Sequence, residues 1–139
     1  MDRPFSASLR VLCVDDNQDS ADSMAMLLDM LGCEVEMCYG GPAALALAEA
    51  FRPDVCLLDV HMPGMDGCEL ARKLRERAGG SVLLVAVTAL STADARTRTA
   101  AAGFDHHLTK PVEINALIAA LTKFADGRRQ ERWAVLPHS

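Results

Sequence analysis

Several side chains able to do chemistry stand where apolar runs of this chain stop. Val55-Cys56-Leu57-Leu58 ends at Asp59, Arg10–Val14 at Asp15-Asp16, Ser81–Val87 at Thr88, and His106–Leu108 shortly before Lys110. Asp59 is the central one, because the run before it has no polar alternation, as in a strand buried on both faces, and Met62-Pro63-Gly64 forbids a smooth continuation. A carboxylate at a strand end can act as a nucleophile toward a phosphoryl group. It can equally form a turn or cap a helix. Three carboxylates (Asp15, Asp16, Asp59) brought together repel one another unless a hard divalent cation lies among them, and Mg²⁺ (or Mn²⁺) suits an all-oxygen set. Lys110 would add a point positive charge and Thr88 a hydroxyl for a phosphoryl oxygen.

Such a site requires that the strand ends converge, and the sequence supplies elements that do this. Helical spacing of Ala21, Met24, Leu28 and Leu31, ended by Gly32, predicts a first helix after the first strand. Glu34-Val35-Glu36-Met37 alternates, as in an edge strand with one wet face. Gly40-Gly41-Pro42 opens a helix through Phe51, which Arg52-Pro53 ends. A third helix is expected over Glu69–Arg77, with Leu70 and Leu74 inward and Glu69–Lys73 paired. A thinly apolar fourth spans Thr92–Ala102, and a fifth carries Ile114, Leu117, Ile118 and Leu121 and ends near Asp126-Gly127. Five strands each followed by a helix predict an α/β fold. Its five-stranded parallel sheet, in the order 2-1-3-4-5, is doubly wound as in flavodoxin-like (βα)5 proteins, and ligands of such sheets sit beyond the carboxyl ends of the strands.

Composition narrows the function. The 139 residues suit one domain: a lead-in at 1–8, a domain at 9–126 and a tail at 127–139 too short for an output domain. With 14 basic against 19 acidic residues, net −5 and no basic block, direct nucleic-acid binding is not expected. Cys13, Cys33, Cys38, Cys56 and Cys68 lack metal-site spacing and read as reduced, small apolar residues. There is no apolar leader and no run long enough for a membrane span, so a soluble cytoplasmic protein is expected.

Four segments, V-D-D-N (14–17), L-L-D-V-H-M-P-G-M-D-G (57–67), V-T-A (87–89) and T-K-P (109–111), occur in order at the strand ends. Together they resemble the response-regulator receiver domains of two-component signalling, over roughly Arg10 to Phe124, and G-F-D-H-H-L-T-K-P (103–111) looks like the receivers attached to hybrid sensor kinases. The resemblance implies that Asp59 is the phosphoacceptor, Asp16 a direct Mg²⁺ ligand, Asp15 a second acid acting through water, and the His61 backbone carbonyl a further ligand. It makes Thr88 the switch hydroxyl and Lys110 the phosphate-contacting lysine, with a cis bond to Pro111. The implied donor is a histidine kinase or histidine phosphotransfer protein, with output through protein contacts of the α4-β5-α5 face. The implied chain is a single-domain signalling regulator rather than an enzyme, monomeric or weakly dimeric. A phosphorelay intermediate or a receiver segment of a hybrid kinase is the alternative.

Departures from the family pattern matter. His107 stands where most receivers carry the Tyr or Phe whose rotamer tracks phosphorylation. Leu90, two past Thr88, offers no polar group to orient a hydrolytic water, which predicts slow self-dephosphorylation. His61 replaces the acid that a phosphoaspartate hydrolase would need two residues after its nucleophile. An FMN carrier would want a Ser/Thr/Gly-rich phosphate loop where this chain has Asp15-Asp16. The tail's Trp133 could dock on the fifth helix or on a partner, or be part of a frayed end.

Overall fold

The computed structural model describes residues 9–78 and 81–135, with side chains as far as Asp126. Elements alternate along the chain: β1 (Arg10–Val14), α1 (Gln18–Met30), β2 (Glu34–Cys38), α2 (Gly41–Phe51), β3 (Val55–Asp59), α3 (Gly67–Ala78), β4 (Leu83–Thr88), α4 (Ala93–Ala101), β5 (His106–Thr109) and α5 (Ile114–Val135). All strand pairs are parallel and the order is β2-β1-β3-β4-β5, as the sequence predicts.

Alternation along the inner strands divides the core into two layers, because successive side chains point to opposite faces. Leu12, Cys56, Leu58, Leu84 and Ala86 join one layer under α2 and α3, while Val11, Cys13, Leu57, Val85 and Val87 join another against α1 and α5. β3 and β4 are buried at every position. All five cysteines are free and buried, and burial pushes the thiols of Cys33 and Cys56 up to about 11 and about 12, so they pack as apolar groups.

Local chemistry sets the element ends. Asn17 caps α1 by accepting from Ser20 N at 3.0 Å, and Thr92 caps α4 by accepting from Ala95 N at 3.1 Å. Gly32 adopts φ 99°, as its place after α1 requires. α2 instead ends on Arg52 at φ 53°, a left-handed conformation that nothing in the residue type announces. Within α4 only Thr99 is buried, in keeping with its few large apolar residues.

Three expectations need correction. α5 continues through Asp126-Gly127 to Val135, because one interior glycine costs only about 1 kcal/mol and the residues after it, Arg-Arg-Gln-Glu-Arg, favour helix. β2 is more open than a half-buried strand: Val35 is half-buried and Met37 is 40% exposed. The Glu69–Lys73 pair does not appear among the ion pairs of the described residues. The lead-in at 1–8 and the Trp133 side chain lie outside the described residues.

Candidate functional site

The sheet order places β1 beside β3, so the acids that follow β1 meet the acid that ends β3. Carboxylate oxygens of Asp15, Asp16 and Asp59 all lie within 4.8 Å of one another. Asp15 and Asp59 are buried and Asp16 is exposed, giving the cluster one open side. Backbone amides hold the two buried acids: Asn17 N donates to Asp15 Oδ1 at 2.9 Å and His61 N to Asp59 Oδ1 at 3.2 Å. The His61 side chain is exposed.

Lys110 reaches the cluster from β5, on the opposite side of β4. Its Nζ lies 3.2 Å from Asp15 Oδ2 and 3.7 Å from Asp59 Oδ1. Its amide donates to Thr88 O at 2.8 Å, and its bond to Pro111 is cis. One lysine against three carboxylates leaves net negative charge in a recess. Burial, then the charge of Asp15, pushes the Asp59 carboxyl up from 3.8 to about 6, with Lys110 and the His61 amide acting in the other direction. Three oxygen donors with this surplus charge fit a hard divalent cation such as Mg²⁺.

Thr88 is buried at the end of β4, and its Oγ1 accepts from Leu90 N at 3.2 Å. Leu90 O accepts from His107 Nε2 at 2.9 Å, and His107 Nδ1 lies 3.0 Å from Thr99 Oγ1. A carbonyl only accepts, so Nε2 carries a proton, and in the neutral ring the Thr99 hydroxyl donates to Nδ1. That hydroxyl also lies 3.0 Å from Arg96 O, so one proton is shared between two acceptors. Bonds thus run from Thr88 through Leu90 and His107 to α4.

Two supporting residues were assigned no role from the sequence. Gly67 opens α3 directly beneath the acid: a Cβ there would overlap the Asp59 carbonyl oxygen and sit 2.7 Å from Val60 Cα. The M-D-G that closes the Asp59 stretch was its only trace. Arg75 of α3 donates to Val82 O, Gly103 O and Asp105 Oδ2 at 2.7, 2.8 and 2.9 Å, and Asp105 accepts from Leu84 N at 2.9 Å, fixing the entry to β5. These partners are far apart in the chain.

A (βα)5 sheet with clustered acids at its β1–β3 switch point and a lysine just after β5 places the cluster where open parallel α/β sheets bind their ligands. Residues 11–122 match the response regulator receiver domain, and the chain belongs to that family. It is 37% identical over 123 residues to the Sensor protein GacS of Pseudomonas syringae, covering 86% of this chain and 14% of that protein. It is 35% identical over 114 residues to the Response regulator MprA of Mycobacterium tuberculosis, covering 82% of this chain and 49% of MprA. The chain thus spans half or less of these relatives. A CheY-like receiver domain from Methanospirillum hungatei superposes with a TM-score of 0.82 at 28% identity, over 90% of this chain and 99% of that one. The chain is therefore a receiver domain of two-component signalling, and receivers generally bind Mg²⁺ at an acidic pocket of this kind. Among the described residues no helix is long and apolar enough to cross a membrane.

Proposed function

We propose that Asp59 accepts a phosphoryl group from the phosphohistidine of a histidine kinase or histidine phosphotransfer protein. The supporting observation is the gathering of Asp15, Asp16 and Asp59 within 4.8 Å, with Lys110 at 3.7 Å from Asp59. An Asp59 oxygen attacks phosphorus, the P–O bond forms as the P–N bond breaks, and the departing imidazole takes a proton from solvent. Asp15, Asp16, Asp59 and the His61 carbonyl would hold Mg²⁺ (or Mn²⁺), which when bound neutralises charge on the phosphoryl oxygens. Lys110 leaves its carboxylate partners for the phosphoryl group and supplies the fixed positive charge of the site.

Phosphorylation adds about 1.5–2 negative charges and three acceptor oxygens. Thr88 then exchanges its bond from Leu90 N for one to the phosphoryl group, and the movement passes through Leu90 O and His107 to α4. The output surface is the α4-β5-α5 face, where a cleft of about 600 Å³ is lined by Arg96, Thr99, His107, Leu108 and Lys123. Output is through protein contacts, with the domain acting as a cytoplasmic signalling regulator rather than an enzyme, monomeric or in a weak dimer.

Intact mass after incubation with acetyl phosphate tests the reading. A gain of one phosphoryl group that needs Mg²⁺ and disappears in Asp59→Asn is expected; labelling of the Asn variant would overturn it. A second reading, a receiver segment or relay intermediate within a longer sensor protein, is favoured by the match to GacS. Rapid return of the phosphoryl group to an added histidine phosphotransfer protein would distinguish it.

A further inference from the structure

Four of the six exposed large apolar side chains among the described residues lie on one corner of the molecule. Met26 and Met30 are 68% and 71% exposed, Met37 and Tyr39 40% each. Asp22, Met26 and Met30 form one column of α1, each four residues from the next. Val35, Met37 and Tyr39 share one side of the β2 segment; it faces α1, since Val35 packs in the α1/α5 layer while Cys38 lies in the other. Tyr39 Oη donates to Asp22 Oδ1 at 3.1 Å and joins column to strand. These exposed Met and Tyr side chains lie on two adjoining elements at the sheet's β2 edge, and methionine-rich surfaces adapt to apolar partners.

The two elements that form this corner, α1 and β2, carry charge of one sign. From Asp15 to Phe51 the chain carries eight acidic residues and no Lys, Arg or His. Asp22 and Asp29 on α1 and the exposed Glu34 and Glu36 on β2 rim the patch; Arg10 Nε lies 3.7 Å from Glu34 Oε2 at its β1 side. Nucleic acid and anionic lipid surfaces are repelled by such a rim. We infer that this α1–β2 corner is a second docking surface, taking an amphipathic helix of a partner protein with apolar anchors on the methionines and Lys/Arg over the acidic rim. Gln18 to Met30 spans about 18 Å along the helix, so the patch extends away from the Asp59 end. A partner seated there leaves Asp59 open to its donor.

The test uses the whole chain with ¹³C-labelled methionine methyl groups and a synthetic helix of about 15 residues, Leu on one face and Lys on its flanks. Saturable shifts at Met26, Met30 and Met37 are expected, with affinity falling at least ~10-fold in Met26→Ser/Met30→Ser and lost when Glu replaces Lys in the helix. Acetyl phosphate labelling of Asp59 should be unchanged in that variant, which also shows that it folds. Equal binding by a scrambled peptide of the same composition, or by the Ser/Ser variant, would overturn the proposal. So would a dimer in sedimentation that the Ser/Ser variant dissolves, making a second copy the occupant, or shifts confined to Met37 of β2, marking an added strand.

Discussion

Asp59 is where burial and charge oppose each other most sharply. Its carboxyl titrates near 6 rather than 3.8, so folding favours the protonated form. The stabilisation from this group is fully present below pH 3.8 and is lost as the pH rises through 6. Without divalent cations, Asp59→Asn should therefore melt higher than wild type at pH 7, and the difference should shrink toward zero near pH 3.8. Calorimetry across that range, in chelator, measures it. Lys110→Ala removes the positive charge that lies 3.2 Å from Asp15 and 3.7 Å from Asp59. Phosphoryl transfer to Asp59 should slow by roughly 10²–10³-fold, the scale for loss of one preorganised electrostatic contact, as read by the rate of mass gain. Leu90 offers no polar group to a hydrolytic water, so the phosphoryl lifetime should be long and should shorten in Leu90→Glu. A lifetime of seconds, lengthened by that change, would sink this expectation.

At the level of elements, the site depends on how α3 and α4 are held to the sheet. Gly67→Ala must move the start of α3 off the Asp59 carbonyl, because that backbone oxygen cannot yield as a flexible side chain can. Folding should survive with Mg²⁺ affinity reduced, measured by the shift in melting temperature with added Mg²⁺. Arg75→Ala removes three bonds that join α3 to the chain before β4 and β5. A loss of about 1.5–3 kcal/mol in urea unfolding is expected, the scale of charged hydrogen bonds that leave carbonyls unpaired. α4 has a single buried residue and is tied to the loop after β4 through His107. Thr99→Val should leave Asp59 labelling intact while shrinking the phosphorylation-dependent amide shifts of α4.

For the molecule as a whole, the two core layers form a stiff platform and the carboxyl edge of the sheet carries the surplus charge. Cation binding to the folded state should stabilise it by about 2.7 kcal/mol at 100 times Kd, a rise of several degrees in melting temperature that Asp59→Asn reduces. The methionine corner lies at the β2 edge and the proposed output face at the β5 edge, so the two proposed surfaces would engage partners from opposite sides of one sheet.

Periodicity and composition were sufficient for the element order, the parallel sheet and its strand order, because strands buried on both faces and amphipathic helices leave unmistakable patterns in Val55–Asp59, Leu83–Thr88 and Ala21–Leu31. They also pointed to the acids, Thr88 and Lys110, since chemistry at strand ends interrupts an apolar run. Other features follow from distance in space and were not legible: the pinch of Gly67 against Asp59, the bridging by Arg75 and Asp105, and the His107 link to Leu90 and Thr99. The acids' chain positions are set by sequence, but the upward shift of the Asp59 carboxyl exists only because the fold buries it beside Asp15, 44 residues away. Charge interaction depends on separation and dielectric, and tertiary packing decides both.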